Sequence, residues 1–374
     1  MSINNKYEKI VRQILGLTDV KINGSNPWDI QVHNDLFYQR IVTGGALGLG
    51  ESYMEGLWDT EALDELIFKI LRSKINTKIK KNFGLLLKLL QAKIFNLQSK
   101  SRSFIIGKEH YDLGNELFQI MLDKLMNYSC GYWKDAQNLD DAQKNKLELI
   151  CQKLNLESGM RVLDIGCGWG SFGRYAAAKY NIEVVGITVS KEQVELGRKL
   201  CEGLPVDFRL MDYRDVKGEF DRIVSVGMIE HVGYKNYMTF FEVANKCLKE
   251  DGLFLLHTIG NNISSNSINR WSNKYIFPNA VLPSVAQIGK SIEKLFVMED
   301  WHNFGTDYDK TLMAWYKNFN ENWFKIKDKY STTFYRMWKY YLMSCAGSFR
   351  ARDIQVWQIV LSKNGLLTGY KSFR

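Results

Sequence analysis

The segment at residues 162–170 has the residue types and spacing of a ligand-binding loop, and it reads Val-Leu-Asp-Ile-Gly-Cys-Gly-Trp-Gly. Glycines that follow an apolar strand and precede a helix let the backbone turn sharply and approach a ligand closely. A dinucleotide site has the spacing Gly-x-Gly-x-x-Gly, whereas the third glycine here comes one residue earlier. A structural glycine turn in another α/β enzyme is the alternative interpretation.

The arrangement strand-Asp-x-Gly-x-Gly-x-Gly-helix resembles motif I of class I S-adenosylmethionine-dependent methyltransferases. S-adenosylmethionine contains no phosphate, and Asp164 at the end of the strand is suited to its ammonium group. Class I folds usually place an acidic residue at the end of the second strand, where it binds the ribose hydroxyls. Residues 186–190 contain no acid there, and Gln193 could replace it because an amide both donates and accepts hydrogen bonds.

Six further motifs occur in a fixed order along the chain. They are EHYDLGN at 109–115, YSCGYW at 128–133, GMIEHVG at 227–233, LHTI at 256–259, WHNFGTDYD at 301–309 and CAGSFR at 345–350. Together with the loop, this set closely resembles the bacterial cyclopropane-fatty-acyl-phospholipid synthases. Residues from about 105 to the C-terminus also resemble the mycolic-acid cyclopropane synthases, and the first ~100 residues resemble an N-terminal domain found only in the phospholipid enzymes.

The resemblance implies that a methylene group passes from S-adenosylmethionine to the cis double bond of a phospholipid acyl chain. An alkene is a weak nucleophile, so the sulfonium methyl must be held in line and shielded from water. The attack leaves a carbocation, which aromatic faces attract. Residues 271–349 contain 19 Phe, Trp or Tyr in 79 positions, which suits both this stabilisation and an acyl tunnel. A well-packed aromatic cap is the plainer interpretation, and the two are compatible.

The resemblance also implies a base that takes a proton from the added methyl group so that the ring closes. In the family this base is a bound bicarbonate ion. The matching residues here are the backbone at Cys130 and Ile259, with the side chains of Glu230, His257 and Tyr308. A carboxylate beside bicarbonate is unfavourable unless a proton is shared or the histidine is charged.

Cys345 lies in a family motif and is a weaker catalytic candidate. Because the alkene itself attacks, no covalent enzyme intermediate is needed, and we expect Cys345 to be a buried structural thiol. For the cofactor, the resemblance implies contacts with residues of the loop and of the segments around it. These residues are Tyr128, Ser129, Asp164, Gly166, Cys167, Gly168, Gly170, Thr188, Ser190, Gln193, Asp212 and Tyr213.

The elements that position these residues alternate between strand and helix from residue 161 onwards. Strands are predicted at 161–165, 183–187, 207–210, 221–226 and 253–257, with helices at 171–179, 191–201 and 237–248. This alternation predicts an α/β fold with a Rossmann-like class I methyltransferase sheet. No run of β-α units follows the last strand, so we predict that the aromatic-rich residues 271–349 form a helical cap or insertion.

The N-terminal part predicts a small domain of mixed α/β or helical structure. A helix is expected at 7–15, short extended pieces at Ile22, Ile30 and Val32, and a tight glycine turn at 44–50 before a helix. We predict an N-terminal domain over 1–98, a linker over 99–104 and the catalytic domain over 105–374.

Charge is concentrated in one segment of the chain. Between Leu66 and Lys108 there are eleven basic residues and no acidic one, and without these eleven the remaining 39 basic and 41 acidic residues leave a net charge of −2. Apolar residues recur there at spacings of three and four, which predicts basic amphipathic helices over 67–83 and 85–97. Such helices bind anionic membrane surfaces. An ordinary domain helix with a solvated lysine face is the equal alternative.

Other features of the sequence narrow the protein class. Six scattered cysteines without metal-ligand spacing predict reduced thiols and no metal site. The polar N-terminus predicts no signal peptide, and we expect a cytoplasmic protein at the inner face of the membrane. Among partners we expect an unsaturated phospholipid, an anionic membrane surface and a second copy of the chain as a homodimer, but no nucleic acid.

Three other functions were compared with the sequence, and two of them are disfavoured. A fatty-acid C-methyltransferase would form a methyl-branched or hydroxylated product from the same cation. A lipid-binding module without catalysis is disfavoured by the intact loop and by Glu230, His257 and Tyr308. A nucleic-acid methyltransferase would have an Asn/Asp-Pro-Pro-Tyr/Phe motif after the fourth strand, and none is present.

Overall fold

The computed structural model describes residues 3–81, 84, 89 and 114–374. The chain divides into two compact units. The first combines the described residues of Met1–Leu117 with Asn269–Pro278 and Trp315–Asp353. The second comprises Phe118–Ile268, Asn279–Ala314 and Ile354–Arg374. The predicted linker at 99–104 and the predicted helix at 85–97 lie outside the described residues, apart from residue 89.

The described helices follow one another along both units. They are α1 (Ile3–Leu15), α2 (Leu36–Gly44), α3 (Ala46–Met54), α4 (Leu63–Arg72), α5 (Ile75–Lys81), α6 (Asn115–Met121), α7 (Leu139–Lys153), α8 (Ser171–Tyr180), α9 (Lys191–Leu200), α10 (Ile229–Val232), α11 (Tyr237–Cys247), α12 (Arg270–Tyr275), α13 (Val285–Ile292), α14 (Thr306–Asn322) and α15 (Thr332–Arg350). Short 3₁₀ helices occur at Tyr213–Asp215, Tyr234–Asn236, Trp323–Lys325 and Lys327–Lys329.

The strands form one small sheet and one large one. They are β1 (Gln31–Val32), β2 (Trp58–Asp59), β3 (Arg161–Ile165), β4 (Glu183–Thr188), β5 (Val206–Leu210), β6 (Phe220–Val226), β7 (Leu248–Asn261), β8 (Val297–Asn303) and β9 (Ile354–Ser362). The small sheet pairs β1 with β2 in the first unit. The large sheet of the second unit has seven strands in the order β5-β4-β3-β6-β7-β9-β8. Strands β3 to β7 run parallel, and β9 pairs antiparallel with both β7 and β8.

The parallel strands are buried on both faces, because side chains along a strand point alternately to opposite sides. Leu163 and Ile165 of β3 belong to one apolar core, whereas Val162 belongs to the other. Both faces of the sheet are therefore covered, as parallel sheets require. This arrangement confirms the predicted Rossmann-like α/β class, and each predicted strand from 161 to 257 is present with ends shifted by a few residues.

The sequence interpretation missed the last two strands of the sheet. We expected only a cap after the fifth parallel strand, but β8 and β9 continue the sheet beyond β7. Strand β9 runs antiparallel to both of its neighbours, β7 and β8, and a long helical stretch separates β8 from β9 in sequence. Strand β8 also contains the charged residues Glu299 and Asp300, and its apolar residues do not alternate with polar ones. Neither the alternating pattern of a strand nor the β-α repeat of the preceding segment therefore identified it.

In the first unit, α4 packs against α15, and glycine allows the two helices to approach closely. A Cβ atom on Gly347 would lie 2.4 Å from the backbone oxygen of Asp64. Arg350 adds ion pairs to Asp64 and Glu65, with its Nη1 atom 2.7 Å and 3.1 Å from their carboxylate oxygens. The apolar face of α4 is therefore buried within this unit.

The predicted helix at 7–15 is confirmed as α1, whereas two other N-terminal predictions need correction. The glycine turn is confined to Gly45, whose φ is 58°, because Gly44 ends α2 and Gly48 and Gly50 belong to α3. The helical pattern of 67–83 is interrupted at Lys74, which has a φ of 52° between α4 and α5. Within the described residues, no helix is long and apolar enough to cross a membrane.

Candidate active site

The glycine loop joins β3 to α8, and its three glycines have left-handed backbone conformations. Their φ values are 85° at Gly166, 55° at Gly168 and 82° at Gly170. A Cβ atom on Gly166 would lie 2.7 Å from Met228, and one on Gly170 would lie 2.2 Å from Phe208. A Cβ atom on Gly168 would have no atom within 4 Å, so this glycine borders open space. The loop therefore has room for a ligand at its middle glycine.

Asp164 is buried at the end of β3, directly before the loop, with 3% of its surface exposed. Burial raises the pKa of this carboxyl to about 7, although the nearby ammonium of Lys146 acts in the opposite direction. Lys146 on α7 is itself buried, and burial lowers its pKa to about 8. A carboxyl with this pKa gains from a cationic ligand, which favours the ionised form.

The segment 127–130 is held by polar side chains of α7. Lys146 Nζ donates to Asn127 Oδ1 at 2.7 Å and to Ser129 Oγ at 3.0 Å. Gln143 Nε2 donates to the backbone oxygen of Ser129 at 2.7 Å. The ring of Tyr128 packs edge-on against Phe118 at a centroid distance of 5.0 Å. These contacts fix the backbone on either side of Tyr128.

Phe118 joins this segment to the glycine loop, because its ring also lies 5.0 Å from that of Trp169. Cys167 is buried within the loop, and burial raises its thiol pKa well above the ordinary value. The predicted cofactor residues Tyr128, Ser129 and Asp164 therefore lie around one loop in the second unit.

The ends of β4 and β5 supply the other predicted cofactor residues. Thr188 Oγ1 donates to Gln193 Oε1 at 2.7 Å, and Ser190 Oγ caps α9 by accepting from the backbone nitrogen of Gln193. Asp212 is held by two hydrogen bonds from the Arg214 guanidinium, which lower its pKa.

Tyr213, beside Asp212, has a buried ring that packs edge-on against Phe240 at 5.6 Å. Parallel strands end at one edge of the sheet, so these residues share the edge that carries the glycine loop.

Glu230 on α10 and Ile259 on β7 form the first contact of the predicted base site. The backbone nitrogen of Ile259 donates to Glu230 Oε1 at 2.7 Å. The other carboxyl oxygen, Oε2, is buried without a partner in the described part of the chain. Burial raises the pKa of Glu230, opposed by the Ile259 hydrogen bond. The protonated carboxyl would place an O–H donor at the unpartnered position.

His257 lies two residues before Ile259 on β7, with 2% of its surface exposed. Burial, together with Lys146 and Lys153, lowers its pKa well below the usual value, so the ring is neutral. Its Nδ1 atom lies 3.3 Å from Gln358 Nε2. His257 therefore contributes no positive charge to the site.

The beginning of α14 is tied to the segment after Cys130. Asp307 accepts from the backbone nitrogen of Trp133 at 2.8 Å, and Thr311 Oγ1 accepts from that of Gly131 at 3.1 Å. Tyr308 lies between these two positions on α14 and is buried. Burial raises the pKa of the Cys130 thiol well above its usual value, so the thiol stays protonated.

Aromatic rings connect this segment to His257. The ring of Phe304 lies 5.7 Å from that of His257 and 5.5 Å from that of Tyr132. The ring of Phe304 thus connects His257 to the segment that follows Cys130, and the hydrogen bond from Ile259 connects Glu230 to the strand of His257. Tyr308 follows Phe304 by four residues. Cys345 belongs to the first unit and is only partly buried, not buried as expected; desolvation raises its thiol pKa to about 12.

Four polar residues of this region were missed from the sequence. Each of them is a buried polar side chain on a face of a helix or strand that is otherwise apolar. They are Gln143 and Lys146 on α7, Thr311 on α14 and Gln358 on β9. A polar side chain at a predicted core position is the signal that could have identified them.

The chain is similar to enzymes of lipid modification. A sequence model of the family described as mycolic acid cyclopropane synthetase matches residues 98–359. The cyclopropane-fatty-acyl-phospholipid synthase of Escherichia coli (strain K12) is 54% identical over 366 residues, which are 97% of this chain and 96% of that protein. A probable fatty acid methyltransferase of Pseudomonas putida is 38% identical over 267 residues, which are 68% of each chain.

Solved structures show the same relationship. The cyclopropane synthase MmaA2 from Mycobacterium tuberculosis is 32% identical and superimposes with a TM-score of 0.64, over 68% of this chain and 96% of that one. A mycolic acid cyclopropane synthase, CmaA1, was solved with SAH and CTAB; it is also 32% identical, with a TM-score of 0.63 over the same shares.

Proposed function

The chain belongs to the mycolic acid cyclopropane synthetase family, and from this premise we propose that it converts unsaturated phospholipids to cyclopropane fatty acids. A methylene group passes from S-adenosylmethionine to the cis double bond of an acyl chain. The observation that carries this proposal is the 54% identity, over nearly the whole of both chains, to a cyclopropane-fatty-acyl-phospholipid synthase. The polar groups around Glu230 and His257 support the same reaction.

The residues of the glycine loop are suited to binding S-adenosylmethionine. The open space at Gly168 accommodates a ligand, and buried Asp164 suits its ammonium group. We propose that the hydroxyls of the ribose contact Gln193, since Thr188 occupies only its amide oxygen. When bound, S-adenosylmethionine supplies an electrophilic methyl group. The remaining predicted contacts are Tyr128, Ser129, Gly166, Cys167, Gly170, Ser190, Asp212 and Tyr213.

Addition to the double bond leaves a cation that the protein must stabilise without trapping it. The ring of Phe304 lies against Tyr132 and His257, so aromatic faces border the base site. An aromatic face contributes about 0.5–2 kcal/mol towards a nearby cation. Because His257 is neutral, it adds no repulsion to the developing positive charge.

We propose that a bicarbonate ion binds beside Glu230 and Ile259. The unpartnered Oε2 of Glu230 is a buried polar atom that a bound ion would satisfy. Burial favours the protonated carboxyl, which removes the repulsion between a carboxylate and an anion and provides a donor. We propose that His257, Tyr308 and the backbone at Cys130 complete the site. When bound, bicarbonate supplies the base for ring closure.

The test combines product analysis with one matched pair of variants. The protein is incubated with S-adenosylmethionine and monounsaturated phospholipid vesicles, and the fatty acids are analysed by mass and by NMR for a cyclopropane ring. Glu230→Gln should reduce turnover at least tenfold with cofactor affinity unchanged, because an amide N–H is a much weaker donor to the anion than the acidic O–H of the carboxyl. Glu242→Gln, an exposed position on α11, is the control and should retain full activity.

Depletion of bicarbonate should slow the wild type and leave S-adenosylmethionine binding intact. A fully active Glu230→Gln protein, or a rate that does not respond to bicarbonate, would remove the proposed base. A gain of one CH₂ without a ring would replace the proposed product by a methyl-branched chain. The 38% identity to a probable fatty acid methyltransferase makes that product the second candidate.

We propose that the basic segment binds an anionic membrane surface at the cytoplasmic face. Arg72, Lys74 and Lys78 are exposed, whereas Lys69 stacks on the Trp28 ring at 4.1 Å. The apolar face of α4 is buried, so a membrane-binding face would begin after that helix. Each basic residue near an anionic surface contributes about 1 kcal/mol, reduced by salt.

Vesicle sedimentation tests this proposal with two variants of equal charge. The first replaces four basic residues of the segment by Gln: Lys74, Lys78, Lys80 and Lys81. The control replaces four exposed lysines elsewhere: Lys144, Lys199, Lys217 and Lys294. Only the first should lose binding to anionic vesicles, and high salt should release the wild type. Equal binding of both variants would contradict the proposal. The homodimer stays a prediction, which sedimentation equilibrium tests.

A further inference from the structure

Three polar side chains form a row across the antiparallel edge of the large sheet. Gln358 of β9 pairs in register with His257 of β7 on one side and with His302 of β8 on the other. Register partners on adjacent strands project to the same face. Gln358 is fully buried, although an amide at such a position is costly unless it is bonded. Its position between the two histidines therefore calls for an explanation.

The amide of Gln358 makes one hydrogen bond to a side chain. Its Nε2 atom lies 3.3 Å from His257 Nδ1, and its Oε1 atom has no partner in the described residues. With the amide oriented in this way, Nε2–H donates and Nδ1 accepts. The opposite orientation would leave both amide hydrogens buried without acceptors, whereas this one leaves the carbonyl and a single hydrogen, and a buried N–H without an acceptor is the rarer and costlier defect. The observed orientation is therefore favoured.

The bond decides where the neutral imidazole carries its proton. A ring whose Nδ1 atom accepts must carry hydrogen on Nε2. The Nε2 atom of His257 makes no hydrogen bond to any other described residue, so its N–H is available to a ligand. In the other tautomer Nε2 would present a lone pair, which repels an anion.

We propose that Gln358 is a positioning residue that holds neutral His257 in the Nε2–H tautomer, so that the histidine donates a hydrogen bond to the anion at the base site. The part of this inference that concerns the anion rests on the proposed function, whereas the part that concerns the tautomer rests on the contact between Gln358 and His257. The surroundings of His257 agree with it. Lys146, Lys153 and His302 lower the pKa of the ring, after burial, and keep it neutral.

Lys153 and His302 are fixed beyond Gln358 by their own contacts. Lys153 Nζ lies 3.2 Å from His302 Nδ1 and 3.3 Å from Asp300 Oδ2. Asp300 is also bonded by the Arg374 guanidinium. The charged groups next to His302, namely Lys153, Asp300 and Arg374, are thus paired with one another. Among the described side chains, the hydrogen bond to the ring of His257 comes from Gln358.

NMR of the full chain labelled with [¹⁵N]histidine tests the assignment directly. The sequence contains five histidines, and the His257 signals are those lost in His257→Gln. In the wild type, Nε2 should be protonated and Nδ1 unprotonated from pH 6 to 8. In Gln358→Glu the carboxylate accepts from Nδ1, so the proton should move to Nδ1 or the ring should become charged. Gln358→Met should give a mixture of tautomers.

Gln152→Glu, an exposed position on α7, is the control and should leave the His257 signals unchanged. In activity assays on vesicles, Gln358→Met should need about twofold more bicarbonate for half-maximal rate, because only the fraction of molecules in the Nε2–H tautomer donates to the anion. Cofactor affinity should not change.

Protonated Nδ1 in the wild type, or an unaltered tautomer in both Gln358 variants, would overturn the proposal. If Gln358→Met fails to fold, Gln358→Glu decides the question, and the wild-type spectrum decides it alone if neither folds. A rate without any response to bicarbonate would refute the proposed anion, while the tautomer would still test the role of Gln358.

Discussion

The affinity for the cofactor should depend on pH through Asp164. In the free protein, burial raises the pKa of this carboxyl to about 7. The ammonium group of the ligand requires the ionised carboxylate, so binding releases a proton whenever the pH lies below 7. The favourable state is therefore present above the free-protein pKa and is lost as the pH falls through it.

The size of the effect follows from this pKa. The dissociation constant scales inversely with the fraction of protein whose Asp164 is ionised, so lowering the pH from 7.5 to 5.5 should weaken binding by about 25-fold. Lys146, whose pKa is about 8, stays mainly protonated over this range. Its charge therefore contributes little to the slope.

Calorimetric titration with S-adenosylhomocysteine measures this dependence. Repeating each titration in two buffers of different ionisation enthalpy counts the protons released, which should approach one at pH 5.5. Asp164→Asn should bind weakly with little dependence on pH. Asp207→Asn, an exposed position on β5, should behave as the wild type does. A flat wild-type profile, or no proton release, would refute the role of Asp164.

Three further substitutions test the packing described above. Gly168→Val should abolish cofactor binding with the fold retained, because the new side chain enters open space beside the loop; calorimetry and a thermal melt measure both. Lys146→Met should weaken S-adenosylhomocysteine binding several-fold at pH 7.5, because the loss of the buried ammonium raises the pKa of Asp164 further. Gly50→Ala should lower the free energy of unfolding in urea by about 1–3 kcal/mol, because its Cβ would lie 2.3 Å from the Trp271 ring.

Each of these substitutions has a matched control. Gly203 also has a positive φ and open surroundings, so Gly203→Val should cost similar strain without affecting affinity. Lys144→Met changes an exposed lysine of the same helix and should leave binding unchanged. Gly44→Ala has no atom within 4 Å of the new Cβ and should be nearly neutral. If a variant and its control give equal results, the corresponding packing argument is wrong.

The parallel part of the sheet and its glycine loop were predictable from the sequence. The strand at 161–165 is mainly apolar, with Val162, Leu163 and Ile165, and the loop that follows it has three glycines at alternate positions. The apolar pattern of a strand and the glycine spacing of a loop each depend only on residues that are close in the sequence. The motifs also predicted the candidates Glu230, His257 and Ile259, because matching a family motif assigns roles to residues without knowledge of their contacts.

The electrostatic state of the base site was not predictable. From the sequence, a charged His257 was one way to accommodate an anion beside Glu230. The structure instead buries His257 near two lysines, which keeps it neutral, and leaves one oxygen of Glu230 without a partner. Burial depth and the positions of distant charges decide a pKa, and neither is encoded in a local motif.

By itself, the sequence determined the α/β class, the position of the loop and the identity of the residues that motifs carry, because each depends on periodicity or spacing along the chain. Only the tertiary structure decided that β8 and β9 complete the sheet and that 269–278 and 315–353 join the N-terminal helices in one unit. Only there does Gln358 meet His257, 101 residues away in sequence. Such contacts depend on strand order and helix packing, which bring together residues that no local pattern relates.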